Sequence, residues 1–197
     1  WLTHFDDETQ TVHPQDTTQV AIEAHESHPN KRVVVHYMQP HHPFLTRPDL
    51  QYSGWDIPDF EDWSNEKGNG TKGRSSGRPY TPWEALYMGV ASKEEVWEAY
   101  AENLDLVLEA VDDLVNGVEG KIAITSDHGN MFGERTWPIP LRVFGHPTGV
   151  RNSELVDVPW AVLEKGDRRQ ITEDSVRSVS ESQEETVEKR LEDLGYV

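Results

Sequence analysis

Two short stretches of this chain hold side chains that can do chemistry. His36-Tyr37-Met38-Gln39-Pro40-His41-His42-Pro43-Phe44 sets three imidazoles close together, with prolines on both sides of the His pair to stiffen the backbone. Imidazole titrates near neutrality and ligates metals, so this cluster suits proton transfer, anion binding or coordination. The second stretch is Asp127-His128-Gly129-Asn130. A carboxylate oxygen and an imidazole nitrogen from adjacent residues can reach one divalent ion when the backbone bends, and Gly129 permits the bend. Taken alone, an Asp-His pair reads equally well as a turn beside a hydrogen-bonded histidine.

Both stretches follow apolar runs that must position them. Arg32-Val33-Val34-Val35-His36-Tyr37-Met38 is β-branched and apolar on both faces, the pattern of a buried parallel strand, and Lys121-Ile122-Ala123-Ile124-Thr125-Ser126 is a second. Between them Ser92-Lys93-Glu94-Glu95 fits a capping box, and Val96, Tyr100, Leu104, Val107, Leu108, Val111, Leu114 and Val115 recur at helical spacing until Asn116-Gly117. Strand, helix and strand in that order predict a parallel crossover, hence an α/β class with a doubly wound, mainly parallel sheet, incomplete at its N-terminal side. Ligands of such sheets bind outside the carboxyl ends of the strands, where both stretches fall.

Asp16-Thr17-Thr18 is expected to cap an earlier helix carrying Val20, Ala21 and Ala24. Val156 to Leu163 is expected to form a strand near a sheet edge, since Pro159 has no N–H for a ladder. Residues 1–197 read as one domain, with a flexible insertion over 64–79 that lacks apolar periodicity, and a polar tail over 164–197. The tail is expected to close with a short helix that sets Val187, Leu191 and Leu194 on one face.

Acidic residues number 36 against 18 basic ones in a chain of net charge −18, which makes nucleic acid and anionic membrane surfaces poor partners because both would repel it. The acidity runs along the whole chain beside seven Trp, so it describes a folded protein working in concentrated salt rather than a disordered tail. At molar ionic strength the Debye length is about 3 Å and neighbouring carboxylates hardly repel. Without cysteine the chain has no disulfide or thiolate chemistry. No stretch approaches the roughly 18 apolar residues of a membrane span, and a cytoplasmic location is favoured. A chain that begins with Trp1 and has no strand pattern before it is expected to be the C-terminal part of a longer product.

Ser126-Asp127-His128-Gly129-Asn130 after an apolar strand resembles the second metal-binding motif of the alkaline phosphatase superfamily, and the sulfatase-like branch fits best. The strand exit from His36 to Phe44, the Met131-Phe132-Gly133-Glu134 stretch, Phe144-Gly145-His146-Pro147 and Val158-Pro159 follow in that family's order. The likeness spans residues 31–163 and is closest to sulfatase-like proteins of haloarchaea, in agreement with the salt argument. The resemblance implies a metal-dependent hydrolase of sulfate or phosphate esters. Asp127 and His128 would be metal ligands, His41 would face the sulfuryl or phosphoryl oxygens, and His146 would stabilise charge or protonate the leaving oxygen.

His36, a strand residue, reads first as a core histidine with its hydrogen bonds made and second as a substrate contact, and His42 is expected to point away from His41. His4, His13, His25 and His28 read as surface residues. One divalent metal is expected, Mn²⁺ or Zn²⁺ ahead of Ca²⁺ or Mg²⁺ because imidazole suits the softer ions. The partner would be a small anionic ester or a sulfated or phosphorylated glycan. Family members also carry a metal-binding Asp at the end of the first strand and a Ser, Thr or formylglycine-precursor Cys at the next helix start. Nothing between Trp1 and Asn30 matches either, so this chain alone is expected to be inactive. The alternative is a truncated, non-catalytic remnant of the same fold, and an acidic binding domain with incidental histidines ranks last.

The acidic composition generates the first test. The thermal midpoint, followed by circular dichroism, is expected to rise by several degrees between about 0.1 M and about 2 M KCl as repulsion is screened. An unchanged or falling midpoint would contradict the salt reading.

Overall fold

Pro14 has no N–H to leave unpaired and a backbone angle already set for a helix, and it opens the first one. The computed structural model describes residues 4–52, 79 and 81–173. Its elements run β1 (Phe5–Asp6), β2 (Thr11–Val12), α1 (Pro14–Ser27), a 3₁₀ turn (Pro48–Leu50), α2 (Pro82–Met88), α3 (Lys93–Gly117), β3 (Gly120–Thr125), β4 (Met131–Arg135), β5 (Arg142–Gly145), α4 (Ser153–Val156) and β6 (Trp160–Lys165). The insertion expected over 64–79, apart from Pro79, and the helix expected near the C-terminus lie outside the described residues.

The central helix α3 begins and ends where the sequence places it. Ser92 Oγ accepts from Glu95 N at 3.2 Å and Glu95 Oε2 accepts from Ser92 N at 2.8 Å, so two of the orphan donors of the first turn are satisfied reciprocally. Its buried face is Val96, Ala99, Asn103, Val107 and Ala110. The N-terminal half of that face packs with Phe44, Leu50, Trp83, Leu86 and Phe132 in the main core. The C-terminal half takes α1, where Thr18 Oγ1 donates to Ala110 O at 2.8 Å and Ile22 fills the space beside Gly117. The helix α2 lies just beyond the 64–79 stretch, where no element was expected. Its start is nonetheless written locally, in Thr81 accepting from Glu84 N at 3.1 Å with Pro82 at the first helical position.

The strands pair differently from the sequence expectation. All described pairs are antiparallel: β1 with β2, β3 with β6 and β4 with β5. A doubly wound parallel sheet is not present among the described residues. Arg32–Met38 runs without helical or strand pairing, and Val34 is 92% exposed. A run that is apolar on both faces needs cover on both faces, and the described residues supply little of it. The third apolar run is split. Ser153–Val156 forms the single turn α4, and β6 starts at Trp160, just past Pro159, where the missing donor does no harm. Trp160 and Val162 are exposed, as are Leu104 and Leu108 on the side of α3 turned away from the core.

Beyond β6 the chain returns to the end of α1, where Thr172 N donates to Asn30 O at 3.1 Å and Arg169 donates to His25 O at 2.7 Å. Among the described residues no helix is long and apolar enough to cross a membrane.

Two substitutions separate cap from core. Ser92→Ala is expected to cost about 1 kcal/mol through the lost cap, and Phe44→Ala, at a fully buried position, about 3–5 kcal/mol. Urea unfolding of both variants checks the order, which would be reversed if α3 were held mainly by its own ends.

Candidate functional site

The structure brings together side chains from three stretches that are distant in sequence. His41 comes from the loop after the extended run, Asp127 and His128 from the end of β3, and His146 from the residue after β5. The His128 and His146 rings lie 4.4 Å apart between centroids, and the His146 and His41 rings 5.7 Å apart. His36 reaches the same place: its Nε2 is 4.0 Å from Asp127 Oδ2, with 62% of the His36 side chain exposed. It is therefore no core histidine. His42 departs from expectation too, since its ring stacks on His41 at 4.2 Å and 26° rather than pointing away.

Each group is held by a specific local contact. Gly129 is needed for space, because a Cβ there would lie 2.1 Å from Glu154 O, while its N–H donates to Leu155 O at 3.0 Å. The Asp127-His128 turn is thus clamped onto α4, and the bend expected of Gly129 is instead a close approach. Gly145 adopts a φ of +70° against the face of Trp83, which sets the direction in which His146 leaves β5. The loop carrying His41 is tied down at Gln39, whose Nε2 donates to Val12 O at 3.1 Å. It is tied again at Asn103, whose Nδ2 donates to His41 O at 3.0 Å and whose Oδ1 accepts from Leu45 N at 3.1 Å.

Neighbouring carbonyls decide where the imidazole protons sit. His128 Nδ1 donates to Gly129 O at 2.9 Å, so the neutral ring keeps its lone pair on Nε2, 3.7 Å from Asp127 Oδ2. A carbonyl fixing one nitrogen while the other is left for an ion is how metal-ligating histidines are usually oriented. His41 Nδ1 likewise donates to His42 O at 2.5 Å. A neutral His41 offers only a lone pair on its other nitrogen, and it grips an anion only once protonated.

Asp127 and His128 fit two positions around a divalent ion. Among the described residues no group of three or more acidic or imidazole side chains is placed to hold one, so an ion held by this pair would need further ligands.

Burial holds the His41 and His146 rings below the ordinary histidine range, opposed for His41 by its bond to the His42 carbonyl and reinforced for His146 by the neighbouring His128 and His41. His42 is lowered most, to about 3, by burial and then by His41 and His146. Neither of its nitrogens has a hydrogen-bond partner, and Asn130 Oδ1 is buried in the same condition.

Sequence reasoning missed Asn103 and treated Tyr100 only as a core position. The Tyr100 hydroxyl lies 3.5 Å from Asn130 Nδ2, at the edge of hydrogen-bonding range. The available signal for Asn103 was an amide in the middle of an apolar helical face. No protein-family model, curated protein or solved structure matches the chain.

The imidazoles predict a pH window. The unfolded His42 ring takes a proton near 6.5, whereas the folded one resists until about 3. Between those values the unfolded chain binds more protons, so stability falls as pH drops through that window and is unaffected by this group above it. His41 and His146 act in the same sense. His42→Phe is expected to flatten the loss of unfolding free energy between about pH 7 and about pH 4 by a few kcal/mol. An unaltered slope in urea titrations would show that His42 is not buried as a neutral ring.

Proposed function

We propose that these residues form part of a metal-dependent hydrolase site for sulfate or phosphate esters, of the sulfatase-like branch of the alkaline phosphatase superfamily. The observation that carries the reading is the convergence of Asp127, His128, His41 and His146 from three separate stretches, each stretch bearing one of the motifs that resemble that family. The substrate would be a small anionic ester or a sulfated or phosphorylated glycan. The reading also takes the doubly wound sheet to be completed by polypeptide outside these residues, which would bring the nucleophile and a further carboxylate ligand.

Asp127 and His128 would hold a divalent cation, Mn²⁺ or Zn²⁺ before Ca²⁺ or Mg²⁺. When bound, that ion would lower the pKa of the nucleophile and neutralise the ester's charge. His41, protonated as the anion arrives, would hold a non-bridging oxygen. His146 would give its proton to the oxygen that leaves when the nucleophile's bond to sulfur or phosphorus forms and the ester bond breaks. An arriving anion favours the charged form of both rings and so offsets the burial that holds them neutral.

A second reading, a non-catalytic remnant of the same fold, draws on the exposed Val34, Trp160 and Leu108 and on the incomplete metal site. In that case the surfaces would be left uncovered and no turnover would follow.

Calorimetric titration of Mn²⁺, Zn²⁺ and Ca²⁺ into the chain in multimolar KCl, beside an Asp127→Ala variant, tests the metal. Binding of Mn²⁺ or Zn²⁺ is expected at one site and is expected to be lost in the variant. Equal binding by both would remove Asp127 from the ligand set.

A further inference from the structure

We infer that Asn103 is the positioning residue of the imidazole cluster: its side-chain amide fixes the backbone of the 40–45 loop so that His41 stands against His146. The inference rests on the proposed role of His41 as the group that holds the ester's oxygen. Asn103 is fully buried, on a helical face whose other members are Val96, Ala99, Val107 and Ala110. An amide in such a place costs free energy unless its donors and acceptor are all used, and here they are. Nδ2 lies 3.0 Å from His41 O, 3.3 Å from Pro43 O and 3.4 Å from Pro40 O, while Oδ1 accepts from Leu45 N at 3.1 Å.

The contact is one-sided in a telling way. Leucine has the same branched heavy-atom outline, and the amide's partners all lie on the loop, so the helix itself has no need of the amide. The loop does, because three of its carbonyls and one N–H turn inward to this single side chain. From the His41 carbonyl the constraint passes to the ring. Its backbone is held by Asn103, its Nδ1 is held by His42 O, and the ring is left 5.7 Å from His146. A displacement of the loop by about 1 Å would separate the two rings that are to share one anion, and misplacements of that size cost up to about a hundredfold in positioned chemistry.

The experiment compares the unmodified chain with Asn103→Leu, which keeps the branched outline and removes donors and acceptor, and Asn103→Asp, which keeps the acceptor and removes the donors. Inorganic sulfate and phosphate binding is measured by titration, and the His41 and His128 ring resonances by ¹H–¹⁵N spectra tuned to imidazole. Both variants are expected to bind sulfate at least about tenfold more weakly and to move the His41 ring signals while those of His128 stay in place. Folded variants with unchanged sulfate binding and unchanged His41 signals overturn the inference.

If a variant fails to fold, the unmodified chain still decides. A through-hydrogen-bond coupling between Asn103 Nδ2 and the His41 carbonyl carbon is expected, and its absence overturns the inference. Absence of any sulfate or phosphate binding by the unmodified chain would instead count against the ester-hydrolase reading, and the His41 signals would still judge Asn103.

Discussion

The burial of one polar side chain in the middle of α3 is the constraint from which the arrangement of imidazoles follows. Asn103 has to satisfy its amide away from water, and the loop that carries His41 and His42 has to satisfy inward-facing carbonyls; each solves the other's problem. Three residues earlier on the same helix, Tyr100 packs its ring against Trp83 and Phe132 and brings its hydroxyl to Asn130. The helix thereby touches both chemistry-bearing stretches, through an amide on one and an aromatic hydroxyl on the other. The aromatic rings form edge-to-face pairs, such as Trp83 with Phe132 at 5.0 Å, within the core beside α3.

Around that packed centre lies apolar surface with little to cover it. The ribbon of β3 and β6 exposes Trp160 and Val162, the extended run exposes Val34, and α3 turns Leu104 and Leu108 to solvent. Two-sided apolar strands belong inside layered folds, where helices cover both faces. On the proposed reading this surface is where further polypeptide completes the sheet, and the apolar pattern of Arg32–Met38 expresses a burial that the described residues do not provide. Such surface would be an aggregation liability in an ordinary protein, and the net charge of −18 opposes association between copies.

What the sequence made legible was local. The capping box at Ser92 and Glu95 and the stop at Gly117 depend on neighbours a few residues away, and the structure has them where the spacing puts them. Strand pairing was not legible, because an apolar β-branched run looks the same whether its partners are parallel, antiparallel or absent from the described residues. The start of β6 beyond Pro159 illustrates the limit, since the proline marked an edge but not which residues would pair. At the site, His36, His41, Asp127, His128 and His146 carried type and order signals. The stacking of His42 on His41 did not, because it depends on how the loop turns onto Asn103. Asn103 itself is silent in an apolar periodicity, which records only what is hydrophobic.

The central proposal is that Asp127 and His128 hold a metal ion facing His41 and His146. Titrating Mn²⁺ into the isotopically labelled chain in multimolar KCl, and mapping the paramagnetic broadening of its resonances, tests this most directly. The earliest broadening is expected at Asp127, His128 and His36, followed by His41 and His146, with the carboxylates of the outer surface affected only at higher metal. Broadening scattered first over those surface carboxylates, with His128 and His146 left sharp, would contradict it.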